Sequence, residues 1–241
     1  MGGEGMKIND VIYFIKRKVI PGFKIPKNAL VIDLGSGDKP FWRADVYADK
    51  LDLADNQRAT KSRTLTGFGY FIDSDLSKTP FKDKAFDFSF CSHVLEHVED
   101  PKKVIKEMMR ISKSGYIEVP NGIFDSINPF PTHLWLIYLN DNKFVFVRKD
   151  KKMTEILKKN GENFKFLSKK VKDPFIRVYW KDEINYEIID SLNQIDNYKL
   201  NEKNENINSK KSINISYKII IKIIRLLFYK NKNLNIKEII K

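Results

Sequence analysis

The chain reads as an α/β protein built on a doubly wound, mostly parallel sheet with flanking helices. Three features carry that reading. Short apolar runs recur along the first 120 residues, the pattern of strands covered on both faces. A well-signalled helix lies between two of them, and strands alternating with helices imply right-handed crossovers and a parallel sheet. At 241 residues, with 42% apolar and 31% charged side chains, the chain is long enough for one large core and too apolar for wholesale disorder.

Taken in order, Ile8, Val11, Ile12, Ile15 and Val19 recur at helical spacing, so residues 8–20 are expected to form an amphipathic lead-in helix that Pro21-Gly22 stops. Residues 1–5 are expected to be an appended remnant or an alternative start, with Met6 the functional beginning. Ala29 to Leu34 is the first strand, closed by Gly35-Ser36-Gly37. Asp45 to Asp49 is a weaker second, Gly69 to Ile72 a third, Phe86 to Cys91 an alternating fourth and Gly115 to Val119 a fifth. Before the fifth, Asp100 caps a helix with Pro101 in its first position and Val104, Met108 and Ile111 on one face. Leu134 to Tyr138 and Lys143 to Arg148 flank an Asn140-Asp141-Asn142 turn as a hairpin; Phe175 to Trp180 and Ile184 to Ile189 resemble a second. The expected organisation is a lead-in helix over 1–27, a domain over 28–190, a polar linker over 191–211 and a basic amphipathic tail over 212–241.

Cys91 is the only cysteine, which excludes a disulfide framework and Cys-rich zinc sites and suits a reducing cytoplasm. Lys222 and Arg225 interrupt the best apolar stretch, so no membrane span is expected. The net charge of +13 is unevenly placed: residues 1–135 carry +2 and the remainder +11. That excess, much of it among Asn and Ile, reads as solvated lysines rather than a nucleic-acid footprint, and no RNA-binding module is recognisable.

Four positions at the ends of successive strands suggest chemistry. Gly35 and Gly37 let the backbone approach a ligand at the carboxyl edge of the sheet. A dinucleotide fingerprint would need glycine at Pro40, and the carboxylate of Asp33 would repel a pyrophosphate while tolerating a cationic ligand. Asp49 closes the second strand where a carboxylate can accept from ribose hydroxyls, and Asp75 precedes Pro80-Phe81 where it can accept an adenine amino group. Ser92-His93-Val94-Leu95-Glu96-His97 follows the fourth strand.

With these motifs in order, DLGSG, ADK, DL followed by PF.D.AFDF, CSHVLEHVEDP and GYIEVPN, the sequence resembles class I S-adenosylmethionine-dependent methyltransferases, in particular the methyltransferase type 11-like branch. The resemblance covers Asn28 to Lys149. It implies a Rossmann-like seven-stranded sheet with S-adenosylmethionine across the carboxyl ends of its first strands. Asp33, Gly35, Ser36 and Gly37 would line the methionine part, Asp49 would hold the ribose, Asp75 and Leu76 would meet the adenine, Ser92 and His93 would lie beside the sulfonium, and Lys50 is a further cofactor-binding candidate. Only eleven residues separate Gly37 from Asp49, and Pro40 suits only a first turn, so the long helix usual after the glycine loop is expected to be shortened or lost.

His93, His97 and His133 are the whole histidine supply. His133 is the candidate base or acceptor-binding residue, against a loop histidine bonded to backbone. His97 is the second candidate, more suited to bracing its loop. His93-x-x-Glu96-His97 with His133 is similar to the ligand sets of metal-dependent O-methyltransferases, but HVLEH is common in this branch without a metal, and none is assigned. The expected acceptor is a hydroxyl or carboxyl on a glycan or lipid-linked precursor, with a quinone or other lipid-like molecule as the alternative. A catalytically silent binding module and a nicotinamide enzyme are the contrasting readings. Residues 212–230 place Lys218, Lys222 and Arg225 on one stripe of an apolar helix, which lies on a membrane surface, packs on its own sheet or meets a second subunit; a cytoplasmic enzyme, peripheral to the inner membrane face in the first case, is expected.

Overall fold

A computed structural model describes residues 20–50, 69–168, 173–190, 225 and 232–241. The lead-in helix before Ile20, the 191–211 linker and most of residues 212–230 lie outside them. The main sheet has six strands among the described residues, in the order β3-β2-β1-β4-β5-β8, rather than the seven the resemblance implied. Its parallel part comprises β1 (Val31–Leu34), β2 (Val46–Asp49), β3 (Tyr70–Asp73), β4 (Phe88–Ser92) and β5 (Ser114–Pro120). Every residue of β1 is buried, as a central strand covered on both faces requires.

Two local expectations need correction. Helix α1 (Ile20–Phe23) runs through Pro21-Gly22 instead of stopping there. A Cβ at Gly22 would lie 2.5 Å from the Trp42 ring, so the glycine serves close packing. The segments after residue 174 form no hairpin. Strand β8 (Phe175–Lys181) adds antiparallel to β5, while β9 (Tyr186–Ile189) pairs parallel with β7 in a separate sheet. Local periodicity marks a strand but does not choose its partner. The first hairpin is as expected: β6 (Trp135–Asn140) and β7 (Lys143–Arg148) are antiparallel, and Asp141 and Asn142 take φ of 45° and 61°, the left-handed pair that such a turn demands.

Helix α2 (Pro101–Ile111) follows β4. The Asp100 side chain accepts from the Lys103 amide at 3.2 Å, and Val104, Ile105, Met108 and Ile111 are buried. Each such burial contributes about 1.5–3 kcal/mol. Two further helices, α3 (Gly122–Ile127) and α4 (Lys151–Ser168), have no counterpart in the sequence reading. No helix follows β1. Residues 35–45 form a loop pinned by its own amides, including Lys39 to Ser36 O and Asp45 to Val31 O, as the short Gly37–Asp49 spacing led us to expect.

The described tail residues sit on this domain. Arg225, placed by the sequence on a basic stripe, is buried and donates to Trp42 O (2.8 Å), Ala44 O (3.1 Å) and Tyr47 Oη (2.6 Å). Lys232 reaches Asp45, and Ile240 in the turn after α5 (Ile236–Ile239) bridges to Phe81. No helix among the described residues is long and apolar enough to cross a membrane.

Candidate active site

A cleft of about 810 Å³ opens at the carboxyl ends of β1 to β5, where the sheet order reverses between β1 and β4. Open α/β sheets bind ligands at this switch point, because loops leaving in opposite directions part there. Gly35, Ser36, Gly37, Asp49, Lys50, Asp75, Leu76, Ser92, His93, His97 and His133 all line it. Asp33 does not.

The glycine loop shows why. Gly35 and Gly37 have φ of +72° and +53°, where glycine alone is unstrained. A Cβ on Gly35 would lie 2.3 Å from Val94 Cγ2, whereas one on Gly37 would meet nothing within 4 Å. The first glycine thus packs two cleft loops together and the second leaves open backbone toward the ligand. Asp33 points away from the cleft: it is 1% exposed, and Oδ2 accepts the Phe41 amide at 2.7 Å. Its carboxylate shapes the loop that the missing helix would otherwise have shaped.

Asp49 does both kinds of work. Oδ2 accepts from the Gly37 amide at 2.7 Å and Oδ1 from the Lys50 amide at 2.8 Å, and the side chain still borders the cleft. Asp75 Oδ1 accepts from the Ser77 amide and hydroxyl, and Oδ2 pairs with Lys50 at 3.0 Å. The Ser77 bonds, with help from Lys50, hold the Asp75 carboxyl down at about 2. Ser36 Oγ is buried without a hydrogen-bond partner, a group awaiting a ligand atom in a cleft this polar.

Beneath the other end lies a buried charged network that the sequence did not announce. His93 adopts φ of +59°, uncommon for a non-glycine residue. Its Nδ1 donates to Glu96 Oε1 at 3.0 Å, Nε2 lies 3.2 Å from Glu118 Oε1, and its ring meets Phe175 edge-on at 4.9 Å. Glu118, fully buried, accepts from Ser92 Oγ, Tyr116 Oη and Arg177 Nε. Ser92 and His93 are therefore fixed from below by one carboxylate.

Glu96 is fully buried too. Burial works to raise its carboxyl, but the His93 bond and the charges of His93, His97 and His133 outweigh it and hold it below the usual range. Around it, His97 Nδ1 donates to Thr132 O at 3.1 Å and His133 Nδ1 donates to Asp125 Oδ2 at 2.9 Å; carbonyl and carboxylate oxygens only accept, so Nδ1 of each ring carries a proton, and His97 Nε2 lies 3.9 Å from Glu96 Oε1. The rings lie 4.8 Å apart, edge to face. Burial lowers the His97 pKa, which favours the neutral ring. Phe124, Phe130 and Phe175 line the cleft beside them.

Sequence reasoning missed Asp125, Glu118 and the phenylalanines. Asp125 follows the Pro120-Asn121-Gly122 loop and has no motif of its own; only the return of the chain at His133 gives it meaning.

Residues 33–117 match the family model described as "Methyltransferase domain". A demethylmenaquinone methyltransferase of Paenarthrobacter aurescens is 29% identical over 128 residues, 52% of this chain and 50% of that protein. An uncharacterised protein of Methanocaldococcus jannaschii is 36% identical over 115 residues, 44% of this chain and 50% of that one. The chain spans half or less of the length of these curated relatives. Among solved structures, the PH0226 protein from Pyrococcus horikoshii superposes with a TM-score of 0.43 at 16% identity, covering 72% of this chain and 92% of that one.

Proposed function

We propose, from the methyltransferase domain that residues 33–117 match, that the chain is a class I S-adenosylmethionine-dependent methyltransferase that uses S-adenosylmethionine as its cofactor and methylates a hydroxyl oxygen of a small-molecule acceptor. The observation that carries the reading is the convergence of Gly35–Gly37, Asp49, Asp75–Leu76 and Ser92–His93 in one cleft at the switch point of the sheet. The residues fit the cofactor: an orphaned Ser36 hydroxyl and an open Gly37 backbone suit its methionine part, and the carboxylates of Asp49 and Asp75 suit ribose hydroxyls and an amino group. Residues 28–190 are read as the catalytic domain.

The cofactor brings a methyl group already activated on a sulfonium, so the protein's task is alignment. Holding two reactants in line is worth up to about 7–11 kcal/mol. Ser92 and His93, fixed on Glu118, define the floor between the cofactor half of the cleft and the histidine half. A hydroxyl acceptor must shed its proton as the new C–O bond forms and the C–S bond breaks. His97 and His133 border that end of the cleft with Nδ1 anchored on Thr132 O and Asp125 Oδ2, which leaves Nε2 of each ring to take up a proton. The three phenylalanines around them suit an aromatic or apolar acceptor body better than a glycan, in line with the quinone alternative and with the relatives named demethylmenaquinone methyltransferases.

Calorimetric titration with S-adenosylhomocysteine tests the cofactor half. Saturable binding by the wild type, lost in Asp49→Ala and Gly35→Val, is the expected result. A folded wild type that takes no S-adenosylhomocysteine would leave only a binding module with a vestigial cleft. Binding of NAD in its place would turn the reading to nicotinamide chemistry.

A further inference from the structure

The histidine end of the cleft contains a feature that acceptor binding alone does not explain. Glu96 is fully buried, and while Oε1 accepts from His93, Oε2 is buried with no hydrogen-bond partner. A carboxylate oxygen without a partner inside a protein is costly, and each such group calls for an explanation. Its neighbours supply one. A ligand atom each from Glu96, His97 and His133 lie within 4.8 Å of one another, with Glu96 and His133 buried and His97 partly so.

Both imidazoles are held in the manner of metal ligands. A metal-bound histidine donates its other ring N–H to a carboxylate or a backbone carbonyl, which fixes the tautomer and makes the free nitrogen more basic. His133 does this to Asp125 and His97 to Thr132 O. Asp125 is itself 3% exposed and fixed by the Phe130 amide at 3.1 Å, so the support continues one layer deeper.

We propose that Glu96, His97 and His133 form a site for one divalent first-row transition ion, whose open positions face the cleft and receive the acceptor hydroxyl. Two imidazoles and one carboxylate are the donor set of ions such as Zn²⁺, Co²⁺ and Fe²⁺; the all-oxygen preference of Mg²⁺ and Ca²⁺ is not met. Donor atoms about 2.0–2.2 Å from a tetrahedral ion stand about 3.4 Å apart, so closing on the ion draws the three groups in by about 1 Å. His97 and His133 border the cleft while Glu96 lies behind them, which leaves the outward side of the ion for a hydroxyl. Bound there, the hydroxyl ionises near neutral pH and its oxygen attacks the methyl carbon, the proton passing to solvent. This deepens the methyl-transfer reading and rests on it for the role of the ion, though not for the site.

The site is tested on the full chain after chelator treatment, titrated with Co²⁺ alone and followed by visible absorption, with S-adenosylhomocysteine binding measured in parallel. The expected result is one equivalent of Co²⁺ with d–d bands of a four- or five-coordinate N/O site. Glu96→Gln and His133→Asn should each weaken binding at least tenfold, and Asp125→Asn about 10–100-fold. All three should retain S-adenosylhomocysteine binding, which certifies their folding. No saturable Co²⁺ binding by a wild type that is folded by circular dichroism overturns the site, as does unchanged affinity in both Glu96→Gln and His133→Asn. Should Co²⁺ bind as described while S-adenosylhomocysteine does not, the site stands and the methyltransferase reading falls.

Discussion

The contact between Gly35 and Val94 can be tested by a mutant cycle. Replacing Gly35 with alanine places a methyl group 2.3 Å from Val94 Cγ2, where relaxed carbon contacts need about 3.5–4.0 Å. The substitution also forces an L-residue to φ of +72°, at about 1–2 kcal/mol. Overpacking adds about 1–3 kcal/mol, for a total of about 2–5 kcal/mol. Val94→Ala alone should cost about 1.5–3 kcal/mol for its lost burial. In the double variant Cγ2 is gone, and the nearest surviving contact, Val94 Cβ, lies at 3.4 Å. The backbone cost then remains but the clash does not, so the double variant should be about 1–3 kcal/mol more stable than the sum of the singles predicts. Urea unfolding of all four proteins by tryptophan fluorescence gives the cycle, provided the m-values agree. Additivity within about 0.5 kcal/mol would show that the two cleft loops do not touch at this point and would refute the role given to Gly35.

Two further outcomes follow from the burial of charged groups. Arg225→Met keeps the stem volume but strips three bonds from Trp42 O, Ala44 O and Tyr47 Oη, and should lower the urea-derived stability by about 3 kcal/mol or more; a loss under about 0.5 kcal/mol would separate the tail from the domain. Because burial depresses the His97 pKa, the unfolded chain takes up that proton first as pH falls. The stability His97 contributes is whole above about 6.5 and lost below it, with a slope of up to about 1.4 kcal/mol per pH unit that His97→Gln should remove. An unchanged slope in that variant would assign the effect elsewhere.

The parallel strands were legible because burial on both faces makes them uninterrupted apolar runs, and the lost helix because Pro40 and the Gly37–Asp49 spacing leave no room for one. Strand partners were not legible: Phe175 to Lys181 has the same alternation whether it joins Ile184 to Ile189 or, as it does, β5. Helix α4 was hidden by Asn160-Gly161 in its interior, residues that favour other conformations. In the site, every expected cleft residue except Asp33 faces the cleft. That exception has a plain cause, since a loop without a helix needs an internal acceptor for its Phe41 amide. The Glu96, His97 and His133 cluster depends on a return of the chain after β5 that no local pattern encodes, and Asp125 acquires its purpose only there.

The hold of Arg225 on residues 42–47 also bears on how the protein is made. Its partners were synthesised 178 to 183 residues earlier, and they lie in the loop that links the glycine turn to β2 and in β2 itself. Contacts so far apart in sequence form late, after the entropy of closing the intervening chain has been met. During translation the sheet can assemble from β1 to β5 while the rear of the cofactor loop still lacks its anchor. The bracing of this segment by Arg225 is therefore expected only after residue 225 has left the ribosome, well after the strands β1 to β5 are free to pair.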